Sequence, residues 1–300
     1  MLISFGELLV DMIKNDGEDR FHPYPGGAPA NFSVALARLG FRSKLIASVG
    51  KDFFGDMLVD TLKNENVDVK NVKRSEGKTS LAFVELKRGV PKFIFYRDAD
   101  LDIKDNDIDE RAFINASAFH FGSLSLTDET IRNTLFSCLN TARMHGALVS
   151  FSPNIRSDLW GNNLNKHLYR ALEFVDVLIS SESEFKYMFG SRTMEQVSRE
   201  YSIKKIAITR GENGCILYLN HDGIDGKTIE HYAFPVDAID TTGAGDAFAA
   251  GFICSLLNSK DDSDSVHFAS AVAALSTTKK GAMPALPTKK EVDDFLSKHD

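Results

Sequence analysis

Asp240-Thr241-Thr242-Gly243-Ala244-Gly245-Asp246-Ala247-Phe248 is the stretch that organises this sequence. Gly243 and Gly245 bracket Ala244, so the backbone can bend there without Cβ clashes and turn successive N–H groups one way. The run opens into an apolar segment, Ala247 to Leu257, with the character of a helix. A helix start offers unpaired N–H donors and positive dipole density, which suit a phosphate or an oxyanion. Asp246 is the odd member. A carboxylate beside an anion site repels the anion unless it takes a proton from whatever attacks there. The alternative is architectural: Thr242 caps the helix, the glycines turn the chain, and Asp246 sits favourably in the first turn.

A second glycine-rich run lies near the other end. Pro25-Gly26-Gly27-Ala28-Pro29-Ala30-Asn31 precedes a helical stretch, Phe32 to Leu39, with Gly40 placed to end it. Two glycines before a helix let a ligand approach the backbone closely, and Asn31 can both donate and accept toward hydroxyls. Leu2-Ile3-Ser4-Phe5-Gly6 reads as a buried strand, followed by Glu7-Leu8-Leu9-Val10-Asp11; Asp11 follows an apolar run, where a strand end would meet a ligand in an α/β sheet. A turn-making Asp is the alternative there.

The nine residues from Asp240 to Phe248 resemble the C-terminal signature of the ribokinase-like (PfkB) sugar kinases. Gly26-Gly27-Ala28-Pro29-Ala30-Asn31-Phe32-Ser33 resembles the sugar-binding signature of the same family, particularly of its fructokinases. The two motifs stand in the family's order, more than 200 positions apart. The resemblance implies an α/β fold, a ribokinase-like three-layer sandwich with a mostly parallel, Rossmann-like central sheet and a small β-sheet lid. One kinase domain would span 1–300, with the lid drawn from about 12–24 and 79–98. By the same resemblance Gly243, Ala244 and Gly245 form the anion hole and Asp246 is the base. Asp11, Gly26, Gly27, Asn31, Arg97 and Asn154 would bind the sugar. Ser181, Thr209, Gly211 and Gly214 would lie beside ATP, and Glu184 would help order Mg²⁺ indirectly. Asp240 and Thr242 would supply oxygen ligands to a monovalent cation, K⁺, beside a loop at 281–287. The implied reaction is ATP-dependent phosphorylation of a free sugar, D-fructose at O6. Other acceptors (2-keto-3-deoxygluconate, ribose, a riboside) and a non-catalytic sugar-binding paralogue stay open. A homodimer through the lid is a further implication.

Composition agrees with a small-molecule enzyme. The 300 residues are 43% hydrophobic and 26% charged, with a net charge of −7. That length supports a sizeable core, and the acidic balance argues against nucleic acid or an anionic membrane as partner. Cys138, Cys215 and Cys254 are odd in number and widely spaced, so they read as buried, reduced thiols. No stretch approaches the ~20 apolar residues of a membrane span. The expectation is a soluble, cytoplasmic protein.

Along the chain, strands at 43–49, 118–122, 147–151, 177–180 and 205–209 alternate with helices at 53–64, 128–144, somewhere within 162–174, and 182–189. Such alternation predicts a parallel sheet with ligands at strand C-terminal ends. Segments 80–86 and 92–96 flank Lys87-Arg88-Gly89-Val90-Pro91, a hairpin signal, and residues 14–22 are expected to belong to the same exposed flap. A strand at 215–219 follows the turn Thr209 to Gly214, and a helix is expected at 271–278. Asp98, Asp100 and Asp102 lack the glycine of a calcium loop, Ile103 standing in its place, and read as a solvated loop. Gly77-Lys78-Thr79 and Gly226-Lys227-Thr228 lack the first glycine of a P-loop. His120 reads as a core histidine. Three positions depart from the family pattern: Ser152 stands in place of Asp in Ser152-Pro153-Asn154-Ile155-Arg156, Ser181 in place of Asn, and Ile179 where Lys is common.

Overall fold

The computed structural model describes residues 1–14, 17, 19–87, 90–156, 159, 160, 164–221, 224–258 and 260–299. The chain opens with β1 (Leu2–Phe5), β2 (Leu9–Lys14) and β3 (His22–Gly26), then helix α1 (Ala28–Arg38). It continues through β4 (Ser43–Gly50), α2 (Phe53–Asn64), β5 (Asp68–Ser75), β6 (Leu81–Lys87) and β7 (Val90–Tyr96). The regular alternation follows: β8 (Ala118–Gly122), α3 (Glu129–Met144), β9 (Leu148–Ser152), α4 (Leu164–Leu172), β10 (Val177–Ser181) and α5 (Glu182–Phe189). After α6 (Met194–Tyr201) come β11 (Lys205–Thr209), β12 (Cys215–His221) and β13 (Ile224–His231). Four helices close the chain: α7 (Ala244–Leu257), α8 (Asp262–Ser276), α9 (Ala282–Ala285) and α10 (Lys289–Leu296).

A nine-stranded sheet runs in the order β13-β12-β11-β10-β9-β8-β1-β4-β5. It is parallel from β11 to β5, with β12 and β13 added antiparallel at one edge. Its central strands are buried on both faces, as continuous apolar runs such as Leu2-Ile3-Ser4-Phe5 require. Leu2, Leu45, Ala47, Val177 and Ile179 pack with α1, α7 and α8 on one face. Ile3, Phe5, Phe119, Phe121, Phe151 and Leu178 pack with α3, α4, α5 and α6 on the other. This is the expected three-layer sandwich.

The lid is a separate sheet, β3-β2-β6-β7. Lys87 pairs with Val90 across the β6–β7 hairpin, whose turn residues 88 and 89 lie outside the described residues. So do 15, 16 and 18 in the β2–β3 connection. β7 alternates cleanly: Phe93 and Phe95 face inward, while Ile94 and Tyr96 are 62% and 63% exposed.

Several elements differ from expectation for identifiable reasons. α1 begins at Ala28, four residues before Phe32, because Pro29 is tolerated in a first helical turn. Asp11 lies inside lid strand β2 rather than at a core strand end, since β1 stops at Phe5. β5 and β13 escaped detection because they are polar strands at the two edges of the large sheet, where no second face has to be apolar. α6 and α10 each start with a capping box, Thr193 with Gln196 and Thr288 with Glu291, a sequence signal that was available. The helix expected at 271–278 is the end of the longer α8, and the 281–287 loop contains the single turn α9. The acidic run is no solvated loop: Asp100 is fully buried and ion-paired with Arg97 at 2.5 Å. Asp102 pairs with Lys73 at 3.0 Å. No helix among the described residues is long and apolar enough to cross a membrane.

Candidate active site

The C-terminal end of the sheet, the starts of α1 and α7, and the inner face of the lid enclose a cavity of about 330 Å³. Each wall follows from local chain geometry. Gly243 adopts φ 79°, ψ 0° as the residue before α7, and a Cβ there would lie 2.8 Å from the Ala282 Cβ. The left-handed turn and the close approach both demand glycine. Gly245 is different: it lines the cavity, yet a Cβ on it would meet nothing in the protein within 4 Å. The space its missing side chain leaves is space for a ligand beside the helix start. Thr242 is not the cap of α7; its N–H and Oγ donate to Asp240 Oδ1 at 2.9 and 2.6 Å. Asp240 Oδ2 accepts from the Gly281 N–H at 2.8 Å, tying the turn to the following loop. Burial pushes Asp240 upward, but these hydrogen bonds outweigh it and hold the carboxyl below its ordinary range.

Asp246 sits in the first turn of α7 at the cavity wall, 8% exposed. Its Oδ2 accepts a hydrogen bond from Asn31 Nδ2 at 2.9 Å, which joins the start of α7 to the start of α1. Its Oδ1 has no hydrogen bond from the described residues. Burial pushes its pKa up to about 7; Glu7 and Asp11 add to the rise, while the Asn31 donor and Arg156 oppose it. A carboxyl poised near neutrality is matched to accepting a proton from an alcohol at the moment of attack.

Asp11 reaches the same cavity from the lid, and a Cβ on Gly26 would lie 2.1 Å from its Oδ2. Gly26 therefore makes room for this carboxylate rather than for a ligand. Gly27, at φ 107°, crosses the Glu7 carbonyl so closely that a Cβ would lie 2.3 Å from that oxygen. Burial pushes Asp11 up to about 7, with Arg156 opposing the shift and Glu7 adding to it.

On the opposite side, Ser181 caps α5 and Glu184 answers it in a capping box. Both oxygens of Glu184 are engaged: Oε1 accepts from the Ile155 N–H at 2.8 Å, and Oε2 from the Ser181 N–H and hydroxyl at 3.0 and 2.7 Å. Asn154 adopts φ 43° in the loop that Glu184 grips, a conformation Asn tolerates better than most residues. Arg156 continues this loop, its guanidinium carbon 4.5 Å from the centroid of the Phe93 ring, bridging the sheet end to the lid.

The structure thus brings together Asp11, Gly27, Asn31, Asn154, Ser181, Glu184, Thr209, Thr242, Gly243, Gly245 and Asp246 around one cavity. Other expected residues stand aside from its wall. Arg97 donates to Asp100 at 2.8 and 2.5 Å, to Thr127 at 2.6 Å and to the Leu124 carbonyl at 3.2 Å. Its guanidinium is spent on the fold. Gly214 faces β13, where a Cβ would lie 1.9 Å from the His231 carbonyl, so the hairpin itself explains it. Gly211, at φ 57°, turns the same hairpin. Ala244 opens α7, and Asp240 lines a smaller neighbouring cavity with Tyr24, Lys280 and Gly281. His120 is a satisfied core histidine: its Nδ1 lies 2.8 Å from Ser150 Oγ, its ring stacks on Phe32, and burial pushes its pKa down to about 3. The three cysteines are free and buried.

Two charged lining residues lay outside the expected set. Arg156 is the basic side chain of the cavity wall, and Glu7 is buried beneath the start of α1. A lone acid inside the apolar run Phe5-Gly6-Glu7-Leu8-Leu9 was the available signal for Glu7.

Comparison with known proteins agrees with this geometry. Residues 1–289 match the model of the pfkB family carbohydrate kinases. Probable fructokinase-2 of Arabidopsis thaliana is 34% identical, the alignment covering 99% of this chain and 95% of the relative. A fructokinase of Xylella fastidiosa, solved with bound ATP, superposes with a TM-score of 0.90 at 31% identity over 99% of this chain and 98% of the other. A double mutant of the Vibrio cholerae O395 fructokinase, solved with fructose, ADP and a potassium ion, gives 0.89 at 31% identity, over 99% and 98%. On the match over residues 1–289 and the likeness to these enzymes over nearly its whole length, this chain belongs to the pfkB family of ATP-dependent carbohydrate kinases.

Proposed function

We propose that this protein transfers the γ-phosphoryl group of ATP to O6 of D-fructose, with Asp246 as general base. The observation that carries this reading is the placement of Asp246. It is buried in the cavity wall, with one oxygen held by Asn31, directly beside a helix start whose glycine leaves room for a ligand. In the reaction Asp246 takes the proton of the attacking hydroxyl as its oxygen bonds to phosphorus and the bond to the departing ADP oxygen breaks. The N–H groups of Gly243 and Gly245, at the positive end of α7, face the charge on the transferring group, while that of Ala244 donates to the Thr241 carbonyl at 3.2 Å and holds the turn. Asn31, Asn154, Asp11 and Gly27 orient the sugar, and the inner lid face, Phe93 and Phe95, shields it from water.

The nucleotide lies on this reading along Ser181, Thr209 and the Gly211–Gly214 turn. The described residues hold no cluster of three or more His, Cys, Asp or Glu side chains suited to a metal ion. That donor set fits Mg²⁺ carried largely by phosphate oxygens and water, with Glu184 holding the surrounding loop in place. When bound, Mg²⁺ supplies neutralisation of phosphate charge. Asp240 and Thr242, with the 281 loop, form the oxygen-rich corner that suits K⁺. The outer lid face, where Ile94 and Tyr96 are exposed beside Phe83, supports a homodimer through the lid, to be checked by light scattering.

The test is coupled ADP release with Mg-ATP and potassium over fructose, ribose, glucose, 2-keto-3-deoxygluconate and a purine nucleoside. Preference for fructose is expected. Turnover on a different member keeps the kinase and replaces the acceptor; sugar binding without turnover points to a non-catalytic paralogue.

A further inference from the structure

Buried polar atoms are almost always satisfied by a partner, because an orphan keeps the cost of its lost hydration. Two orphan acceptors belong to residues of the same cavity wall: Glu7 Oε2 and Asn31 Oδ1. Both side chains are deeply buried, Glu7 at 3% exposure and Asn31 at 5%. Neither orphan is relieved by reorienting its group. Glu7 Oε1 is held by the Ala28 N–H at 3.1 Å, the first residue of α1. The Asn31 amide is oriented by donating its NH₂ to Asp246, which assigns the carbonyl oxygen to the unpaired side.

One oxygen of Glu7 therefore serves the fold and the other does not. Fastening α1 needs only Oε1. The surroundings say what Oε2 awaits. Asp11 and Asp246 line the same wall, so an anionic group is repelled there. Arg156 faces the cavity from the opposite loop, where its guanidinium stacks on Phe93. Acceptors of this kind, beside the Asp11 and Asp246 carboxylates in the wall of one cavity, call for neutral O–H donors.

We propose that Glu7 is an acceptor-binding residue whose Oε2 takes a hydrogen bond from a hydroxyl of the bound sugar, distinct from the hydroxyl held by Asn31 and from the one that reacts at Asp246. The proposal rests on reading this cavity as a sugar site and sharpens it: the acceptor must be a polyol with two hydroxyl donors besides the attacking one. Burial holds the free Glu7 carboxyl up at about 7, and a hydroxyl donated to it would favour the ionised form.

The experiment is a cycle between protein and ligand. Binding of D-fructose and of a series of deoxyfructoses, each lacking one hydroxyl, is measured by calorimetry without ATP for the wild type, Glu7→Leu and Glu7→Gln. In the wild type one deoxy analogue should bind about 10- to 100-fold more weakly than fructose, the worth of a hydrogen bond to a charged group. In Glu7→Leu that analogue and fructose should bind equally, and in Glu7→Gln the difference should shrink to within about threefold, because an amide offers only a neutral partner. Glu7→Gln keeps an oxygen for Ala28, so it reports even if Glu7→Leu does not fold. Unchanged discrimination in a folded variant overturns the role of Glu7, as does equal weakening across every analogue, which would mark a purely structural residue. Failure of the wild type to bind any sugar would instead sink the sugar-site reading beneath it.

Discussion

Two groups of buried or half-buried carboxylates in this molecule are treated oppositely. Asp100, Glu184 and Asp240 each have both oxygens occupied, by Arg97 and Ser80, by Ile155 and Ser181, and by Thr242 and Gly281. Glu7 and Asp246 each have one oxygen engaged, and Asp11 accepts no hydrogen bond from the described residues. Burial pushes all three of the latter up to about 7. The contrast separates two uses of an expensive group. A saturated carboxylate holds loops in place; an unsaturated one costs the fold something and is retained for what enters the cavity.

The largest effect belongs to the unsaturated set. Asp246→Asn should lower turnover by about 10²- to 10⁴-fold, because the amide cannot take the proton. Thermal stability should not fall, since Asn31 still has an oxygen to donate to. Retention of more than about a tenth of wild-type activity would break the assignment of the base. Next comes the saturated set. Arg97→Ala strands Asp100 in the interior and should cost roughly 3–5 kcal/mol of stability, read from urea unfolding. Activity per folded molecule should change little. An Arg97→Ala protein of normal stability with a sharply raised KM for sugar would place Arg97 back in the binding set that the sequence resemblance implied.

This contrast marks the limit of what the sequence discloses. Both glycine-rich runs were legible because backbone demands are local: Gly243 and Gly27 sit at positive φ, and no neighbouring residue can remove that requirement. The three layers were legible for the same reason, since buried parallel strands need continuous apolar runs. Whether a carboxylate is saturated depends on partners far along the chain, such as Ile155 for Glu184 or Gly281 for Asp240. Arg97 shows the difficulty at short range. Its partner Asp100 is three residues away, but only the tertiary burial of Asp100 turns the pair into a structural anchor. Glu7 was passed over because it directly follows a stretch read as a buried strand and belongs to neither glycine-rich run. Edge strands β5 and β13 were missed because their polar sequences carry no strong period.

The two glycines of the signature offer a smaller and cleaner comparison. Gly243→Ala forces a Cβ onto a left-handed residue against Ala282, so it should cost about 1–3 kcal/mol and reduce activity through the distorted turn. Gly245→Ala meets no protein atom within 4 Å and should leave the unfolding midpoint unchanged. Its methyl group enters the space assigned to the phosphoryl group, so turnover should fall by about tenfold or more, a barrier of order 1.4 kcal/mol. Equal loss of stability in both variants would mean that Gly245 is required by the fold and that its open space carries no functional meaning.

The smallest effect tests the energetic cost of the unsaturated set directly. A carboxyl whose folded pKa lies near 7 and whose unfolded pKa lies near 4 binds more protons when folded between those values. Its ionisation therefore erodes stability as pH rises from about 4 to about 7, and the loss levels off above that. His120, pushed down to about 3 by burial, works in the opposite direction up to about pH 6.5, so the wild-type profile alone mixes the two. Comparison with Asp11→Asn isolates one carboxyl. Without ligands, the variant's urea stability relative to wild type should increase as pH is raised from 5 to 8, by an amount of order 1 kcal/mol per unit of pKa elevation. Asp240→Asn supplies the contrast: hydrogen bonds from Thr242 and Gly281 hold that carboxyl below its ordinary range, so it is ionised in both states from pH 5 to 8 and no such gain is expected. If Asp11→Asn shows the same flat difference, Asp11 is solvated well enough to ionise freely, and its place among the costly, ligand-awaiting carboxylates is lost.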